Sequence, residues 1–331
     1  MNYKKLLALL LTLTMLLGLW ACSDDQSATE ATTQPMETIE PTASSITPLL
    51  YEVTDENGNT AWLFGSIHVG RDDFYPLPDY VYEAYNQADA AAFEFDIVSF
   101  EADYAAQAAA LQILMYTDGT TIKDHLPEET YNQAVALMTD AGYYMSMLDY
   151  YTVPMWSTLL DQLLYEDLGI DLMSGIDRHL LNKAHEEDKP VYDVESAELQ
   201  YRMMADFSPA LQEMLLEASI ESWSEPELVK EGLDYLLECW ASGSEADIID
   251  AIAAESEGMT EEELVLYAEY NKALCTDRNL GMADYVENAL RSGEKVFICV
   301  GEAHVVGGGA LVDLLTQRGY TVTCLGGNPI A

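Results

Sequence analysis

Two apolar runs near opposite ends of this chain close in the same frame. Residues 62–68 read WLFGSIH and residues 297–304 read FICVGEAH. Each is a short apolar run that suits a buried strand, stopped by a glycine that lets the backbone turn or approach a neighbour closely. Each places a histidine three residues after that glycine. In a sheet with parallel strands, ligands gather at the carboxyl edge. If the two runs are parallel strands, His68 and His304 stand over one edge, although more than two hundred residues separate them. The fold must then draw both ends of the chain into one sheet.

The remaining pattern agrees with that demand. LLYEVTDENGNTAWLFGSIH alternates, breaks at Asn57-Gly58 and resumes, which predicts a hairpin with strands over residues 51–54 and 60–65. LPDYVYEAYNQA has helical spacing, and DAAAFEFDIV reads as a short buried strand ending in Glu94 and Asp96, one face by period two. From about 100 to 290 the texture is helix after helix, touched once by the helix–turn–strand pattern of SGIDRHLLNKAHEEDKPVYDVES. EKVFICVGEAH, GGALVDLLTQRG and YTVTCL then read strand, helix, strand. The expected fold is α/β (α+β): a central mixed sheet built from both chain ends, flanked by helices, with a large helical insertion at about 100–290.

The first residues fall outside that domain. Lys4 and Lys5 precede LLALLLTLTMLLGLWAC, a charged segment and an apolar segment that ends in LWAC, which resembles a bacterial lipobox. The apolar run is about long enough to span a bilayer, so a plain anchor is the competing reading. The lipobox-like ending favours a lipoprotein signal peptide over residues 1–21, with Cys22 as the lipidated N-terminus. Residues 22–46 are rich in Ser, Thr, Glu and Pro and predict a disordered stalk. Residues 47–331 form the folded domain, extracytoplasmic and attached to the cell membrane through lipid alone. With 58 acidic and 14 basic residues, a net charge of −44, the chain is repelled by nucleic acid and anionic lipid. No D-x-D-x-D-G loop marks a calcium site. Beyond Cys22 the cysteines are Cys239, Cys275, Cys299 and Cys324, without a C-x-x-C motif; a Cys299–Cys324 disulfide requires their strands to be neighbours.

Among five histidines, His68 and His304 are the metal-ligand candidates, with Glu94 joining them if its strand is parallel to theirs. Two imidazoles and a carboxylate suit a divalent transition metal such as Mn, Co or Zn. A bare acid–base pair is the simpler alternative. His125 precedes a helix start, and His179 and His185 lie six apart on one helix and share no face, so these three read as structural or solvated.

The segments LFGSIHVGRDDFYPLP, AAFEFDI, GIDRHLLNKAHEEDKPVYDVES, DRNLGMADYVENAL and FICVGEAHVVGGGALVDLLTQRGYTV resemble, in order, the motifs of the TraB/GumN (TraB/PrgY/GumN) family, which includes the Tiki metalloproteases. The resemblance covers residues 48–326. It implies a metal-dependent hydrolase site at the two Gly-x-x-His elements, with His68 and His304 as ligands and Glu94 as a third ligand or the general base. Glu195, Asp177 and Arg278 occupy motif positions: Arg278 steadies an oxyanion or pairs with a site carboxylate, and Asp177 caps its helix or serves the site. Glu302 stands where a small residue is commoner, so it replaces or crowds the base, or points to solvent. The function expected from these readings is a membrane-tethered metallopeptidase acting on a peptide or surface protein. A small-molecule esterase, or a lipoprotein that sequesters a peptide or haem without turnover, are the alternatives.

Overall fold

The computed structural model describes residues 46–256 and 258–330. The expected signal peptide, Cys22 and all but the last residue of the expected stalk lie outside the described residues. In chain order the described elements begin with strands β1 (Leu50–Thr54) and β2 (Thr60–Ser66), helix α1 (Asp79–Gln87) and strand β3 (Ala90–Phe93). Five helices follow: α2 (Ile97–Ala102), α3 (Tyr104–Ile113), α4 (Glu128–Asp140), α5 (Val153–Asp167) and α6 (Ile176–Glu186). The chain returns to the sheet at β4 (Val191–Asp193). It leaves again through α7 (Ala197–Ala205), α8 (Pro209–Ser222), α9 (Pro226–Ser242), α10 (Glu245–Ala253), α11 (Glu261–Asn271) and α12 (Asp277–Ser292). Strand β5 (Val296–Gly301), the short helices α13 (Glu302–Val305) and α14 (Leu311–Gln317), and β6 (Thr321–Gly326) complete it.

The six strands form one mixed sheet in the order β4-β3-β5-β2-β1-β6. Strands β4, β3, β5 and β2 are mutually parallel, and β1 is antiparallel to both β2 and β6. The β1–β2 hairpin forms where the Asn-Gly pair predicts it. The Asp55 carboxylate accepts from the backbone N–H groups of Asn57 and Asn59, and Gly58 takes φ 82°, a conformation that costs glycine little.

Strands β2, β3 and β5 are buried on both faces, as their apolar sequences require, whereas the edge strand β4 (VYD) is largely exposed. Trp62, Phe64, Phe297 and Cys299 face one core with Phe74, Tyr85 and Trp240, while Ala61, Leu63, Ile298 and Val300 face the other with Val286, Leu290 and Leu311. A third, smaller core around Trp156, Leu160 and Met138 holds α4, α5 and α8 together away from the sheet. Among the described residues no helix is long and apolar enough to cross a membrane.

Two expectations are corrected here. Strands β5 and β6 have β2 and β1 between them, so at about 4.8 Å per strand interval Cys299 and Cys324 sit roughly 14 Å apart, beyond disulfide reach. Both are thiols. Strand β3 stops at Phe93, so Glu94 and Asp96 do not share a strand face. Asp96 instead caps α2, accepting from Ser99 N at 2.9 Å, and pairs with His185.

Candidate functional site at the carboxyl edge of the sheet

Four parallel strands release their chains at one edge, and a polar residue follows each end closely. His68 lies just beyond β2, Glu94 immediately after β3, Glu195 just beyond β4, and His304 on α13 directly after β5. The sequence brings these side chains together because buried apolar strands run up to that edge and polar residues can stand only where the strands stop.

His68 is fixed from behind. Its Nδ1 lies 2.6 Å from Asp177 Oδ2 in the first turn of α6. The segment after β2 is latched to the start of that helix: Ile176 N donates to Ile67 O at 2.9 Å, and Gly70 N donates to Ser174 Oγ at 3.1 Å. Gly175 has to be small there, because a Cβ would stand 2.6 Å from the His68 carbonyl oxygen. His304 is buried and fixed by an amide instead. Its Nδ1 lies 2.7 Å from Asn279 Oδ1, and Asn279 Nδ2 donates to Gly309 O at 3.1 Å. The acceptors at Nδ1 assign the proton of each ring to that nitrogen, which leaves Nε2 facing the site.

The two rings converge on Gly301. A Cβ at that residue would lie 3.9 Å from His68 Nε2, 3.6 Å from His304 Cδ2 and 3.3 Å from Glu94 Oε1. Glu94 Oε1 accepts from Gly301 N at 3.0 Å and stands 3.8 Å from His304 Nε2. Its other oxygen accepts from Arg278 Nη2 at 2.6 Å and Gln200 Nε2 at 2.9 Å. Arg278 also binds Glu195 through Nε, at 3.0 and 3.1 Å, and through Nη2, and its Nη1 donates to Leu274 O. Arg278 enters just after a π-helical turn, Lys272–Thr276, a local widening of the helix often found at functional sites.

The environment sorts these groups by charge. Burial pushes the His68 imidazolium toward losing its proton, but the Asp177 carboxylate outweighs it and holds the pKa up at about 9. Burial and the Arg278 cation together pull His304 down to about 3, so it is neutral. Burial alone would raise Glu94; Arg278 above all, with both histidines and the Gly301 N–H, holds it well below the usual carboxylate range. Glu195 shares the same cation yet is held up by burial and by the adjacent Glu94 charge. Arg278 stays charged between the two.

The residues expected at the site therefore separate into roles. His68, His304 and Glu94 meet. Of the two roles open to Asp177, it fills the one at the site: it orients His68 and makes no capping hydrogen bond to its helix, whose N-cap is Gly175. Of the two roles open to Arg278, its hydrogen bonds fill the carboxylate-pairing one. Glu302 does not point to solvent: it is 8% exposed, neither carboxyl oxygen has a hydrogen-bond partner, and burial followed by the Glu245 charge pushes its pKa up to about 8. Asn279 and Gln200 were not anticipated. Asn279 is adjacent to Arg278 in the DRN segment and could have been found there, whereas nothing in the sequence marks Gln200. The other three histidines are elsewhere: His125 stacks on Tyr116 at 4.1 Å between ring centroids, His179 lies against Tyr75 at 4.4 Å, and His185 pairs with Asp96 at 2.9 Å.

The residues fit a metal in part. Two imidazoles whose Nδ1 atoms are held by Asp177 and Asn279 would make a pair of ligands with their supporting partners in place, once the charged His68 gives up its Nε2 proton. Among the described residues, no group of three or more His, Cys, Asp and Glu side chains is arranged to hold a metal ion, and Glu94 reaches the pair with one partly committed oxygen. A cavity of about 100 Å³ opens beside the rings, bounded by Trp240, Leu236 and Ile248. A wider groove of about 790 Å³ runs on the far side of Arg278 and Glu195 along α7 and the start of α12.

Residues 49–324 match the TraB/PrgY/gumN family. The chain is 24% identical over 267 residues to the "Uncharacterized protein YbaP" of Shigella flexneri, covering 80% of this chain and 90% of that protein. It is 25% identical over 256 residues to the YbaP protein of Escherichia coli (strain K12), covering 76% and 86%. No solved structure gives a significant match. With the family match spanning nearly the whole described fold, from β1 into β6, and the site drawn from its two ends and its middle, the chain belongs to the TraB/PrgY/gumN family.

Proposed function

We propose that this protein is a metal-dependent hydrolase, a peptidase acting on a peptide or surface protein, held outside the cell membrane by a lipid on Cys22. The observation that carries the reading is the pair of histidines whose Nδ1 atoms are held by Asp177 and Asn279, with His68 Nε2 and the His304 ring edge both beside Gly301 and His304 Nε2 3.8 Å from Glu94 Oε1. A divalent ion such as Mn, Co or Zn bound there would supply Lewis acidity and acidify a bound water. His68 and His304 would hold it. Glu94, kept ionised by Arg278, suits a third ligand or a hydrogen-bond acceptor for water; the same cation makes it a weak base, so its general-base role is the lesser one. Gln200 and Arg278 fix its orientation, and the groove beside Arg278 has room for an extended chain. The LWAC segment at residues 19–22 supports the tether.

The test is metal content of the purified protein by mass spectrometry, with Mn, Co, Zn and Fe offered in turn, followed by a peptide-library screen. About one metal per chain, with cleavage lost on chelation, is the expected result. No metal under any condition would sink the reading.

A further inference from the structure

The cavity beside the two rings has walls of two kinds, and they come from different parts of the chain. The sheet edge supplies the polar side, with His68, Glu94 and His304. The other side comes from the helical middle of the chain: Leu236 and Trp240 on α9, Ile248 and Ile252 on α10, and Leu274 on the π-helical turn. These side chains offer apolar surface and nothing that could meet a buried charge. Glu302 also lines the space, but its carboxyl is packed against Gly65 with both oxygens closed off. Trp240 is held in place: its Nε1 donates to Gly65 O at 2.9 Å, and its ring lies 6.3 Å from that of Phe64 and 5.4 Å from that of Phe74 between centroids. The back wall is therefore fixed, and the half-buried Leu236 and Ile252, with the buried Ile248, set the width.

We propose that this cavity is a specificity pocket for an aliphatic side chain of the substrate, of leucine or methionine size, adjoining the group that meets the two rings. The proposal rests on the reading that this sheet edge receives substrate. Continuity carries it: the apolar walls begin where the histidines end, so a chain that presents a carbonyl to the rings has a neighbouring side chain within reach of Leu236 and Ile248. Size sets the class. At about 100 Å³ the space is smaller than the apolar void of roughly 150 Å³ that takes a benzene ring, so it admits an aliphatic group and refuses an aromatic one. Each methylene buried there is worth about fourfold in binding.

The experiment follows the Ile248 and Ile252 methyl signals of the full-length chain by NMR during titration with ethanol, 3-methyl-1-butanol and 2-phenylethanol. A chelator is present throughout, so neither metal nor turnover enters. The branched alcohol is expected to bind about tenfold or more tightly than ethanol, and more tightly than 2-phenylethanol although the aromatic alcohol has the larger apolar surface. Leu236→Ala widens the pocket and is expected to reverse the order of the two larger alcohols. Should that variant fail to fold, Ile252→Ala, read at Ile248 alone, makes the same test. A wild type that prefers the ring or does not distinguish the two, an order unchanged by widening, or no movement of the two methyl signals would each overturn the proposal. In a peptide-library screen with metal restored, leucine or methionine is expected beside the cut bond, giving way to phenylalanine in Leu236→Ala. Cleavage without that preference would overturn the pocket and leave the hydrolase reading standing; absence of metal would end the hydrolase reading, and the alcohols alone would then decide the pocket.

Discussion

The two Gly-x-x-His elements share one frame and end in opposite electrical states. In the first, Gly65 lies inside β2, and His68 is reached through the segment latched to α6. In the second, Gly301 ends β5, and His304 rides on α13. The strands pair Gly65 with Val300 and Ser66 with Gly301, so the motifs are one residue out of register, yet both rings reach the same spot. The partner at Nδ1 separates them. A carboxylate behind His68 holds its proton; a neutral amide behind His304, with Arg278 nearby, does not. The spacing of a motif positions an imidazole, and the group behind the imidazole decides its charge.

The sharpest way to break this comparison is to remove either ring. His68→Ala and His304→Ala are each expected to abolish metal retention measured by mass spectrometry; a variant that keeps about one metal per chain would show that the two elements do not share a site. Exchanging the supporting groups comes next. Asp177→Asn is expected to lower the His68 titration midpoint by roughly 1–3 in pH, and Asn279→Asp to raise that of His304, both read by NMR. If His68 still titrates near 9 in Asp177→Asn, its charge has another source.

The two glycines differ as well. Gly65→Ala drives a methyl into the buried Glu302 carboxyl and is expected to cost about 3 kcal/mol in denaturant unfolding. Gly301→Ala meets its nearest atom, Glu94 Oε1, at 3.3 Å and should cost about 1 kcal/mol, while still disturbing the site. Equal costs would remove that distinction. The pH dependence of stability follows: folded pKa values of about 9 and about 3 against about 6.5 in the unfolded chain correspond to at most roughly 3–5 kcal/mol for each ring. For His68 the folded pKa is raised, so its contribution is complete below about 6.5 and is lost as pH rises through about 9. For His304 the folded pKa is lowered, so its contribution is present above about 6.5 and is lost as pH falls toward about 3. Subtracting the profiles of His68→Gln and His304→Gln from wild type should give slopes of opposite sign; slopes of the same sign would contradict the assignment.

Much of this fold was legible because it rests on local periodicity. The hairpin at Asn57-Gly58, the buried runs of β2, β3 and β5, and the helical middle all follow from spacing and turn residues. His68, His304 and Glu94 were legible for the same reason, since each follows a strand whose end the sequence marks. The placement of Asp96 was not, because a capping residue after a four-residue strand looks like the strand's own continuation. Asn279 and Gln200 escaped because hydrogen-bond partners distant in sequence leave no periodic trace.

By itself the sequence determined which segments are strands, which histidines follow them, and that the two chain ends must share a sheet. Only the tertiary structure decided strand order, and with it the separation of Cys299 from Cys324. It also decided that Asp177 stands behind one ring and Asn279 behind the other, that Arg278 is divided between two carboxylates, and that Glu302 is buried without a partner. The physical reason is range: strand and helix formation answers to neighbours a few residues away, whereas the charge of a buried group answers to whatever the fold packs around it.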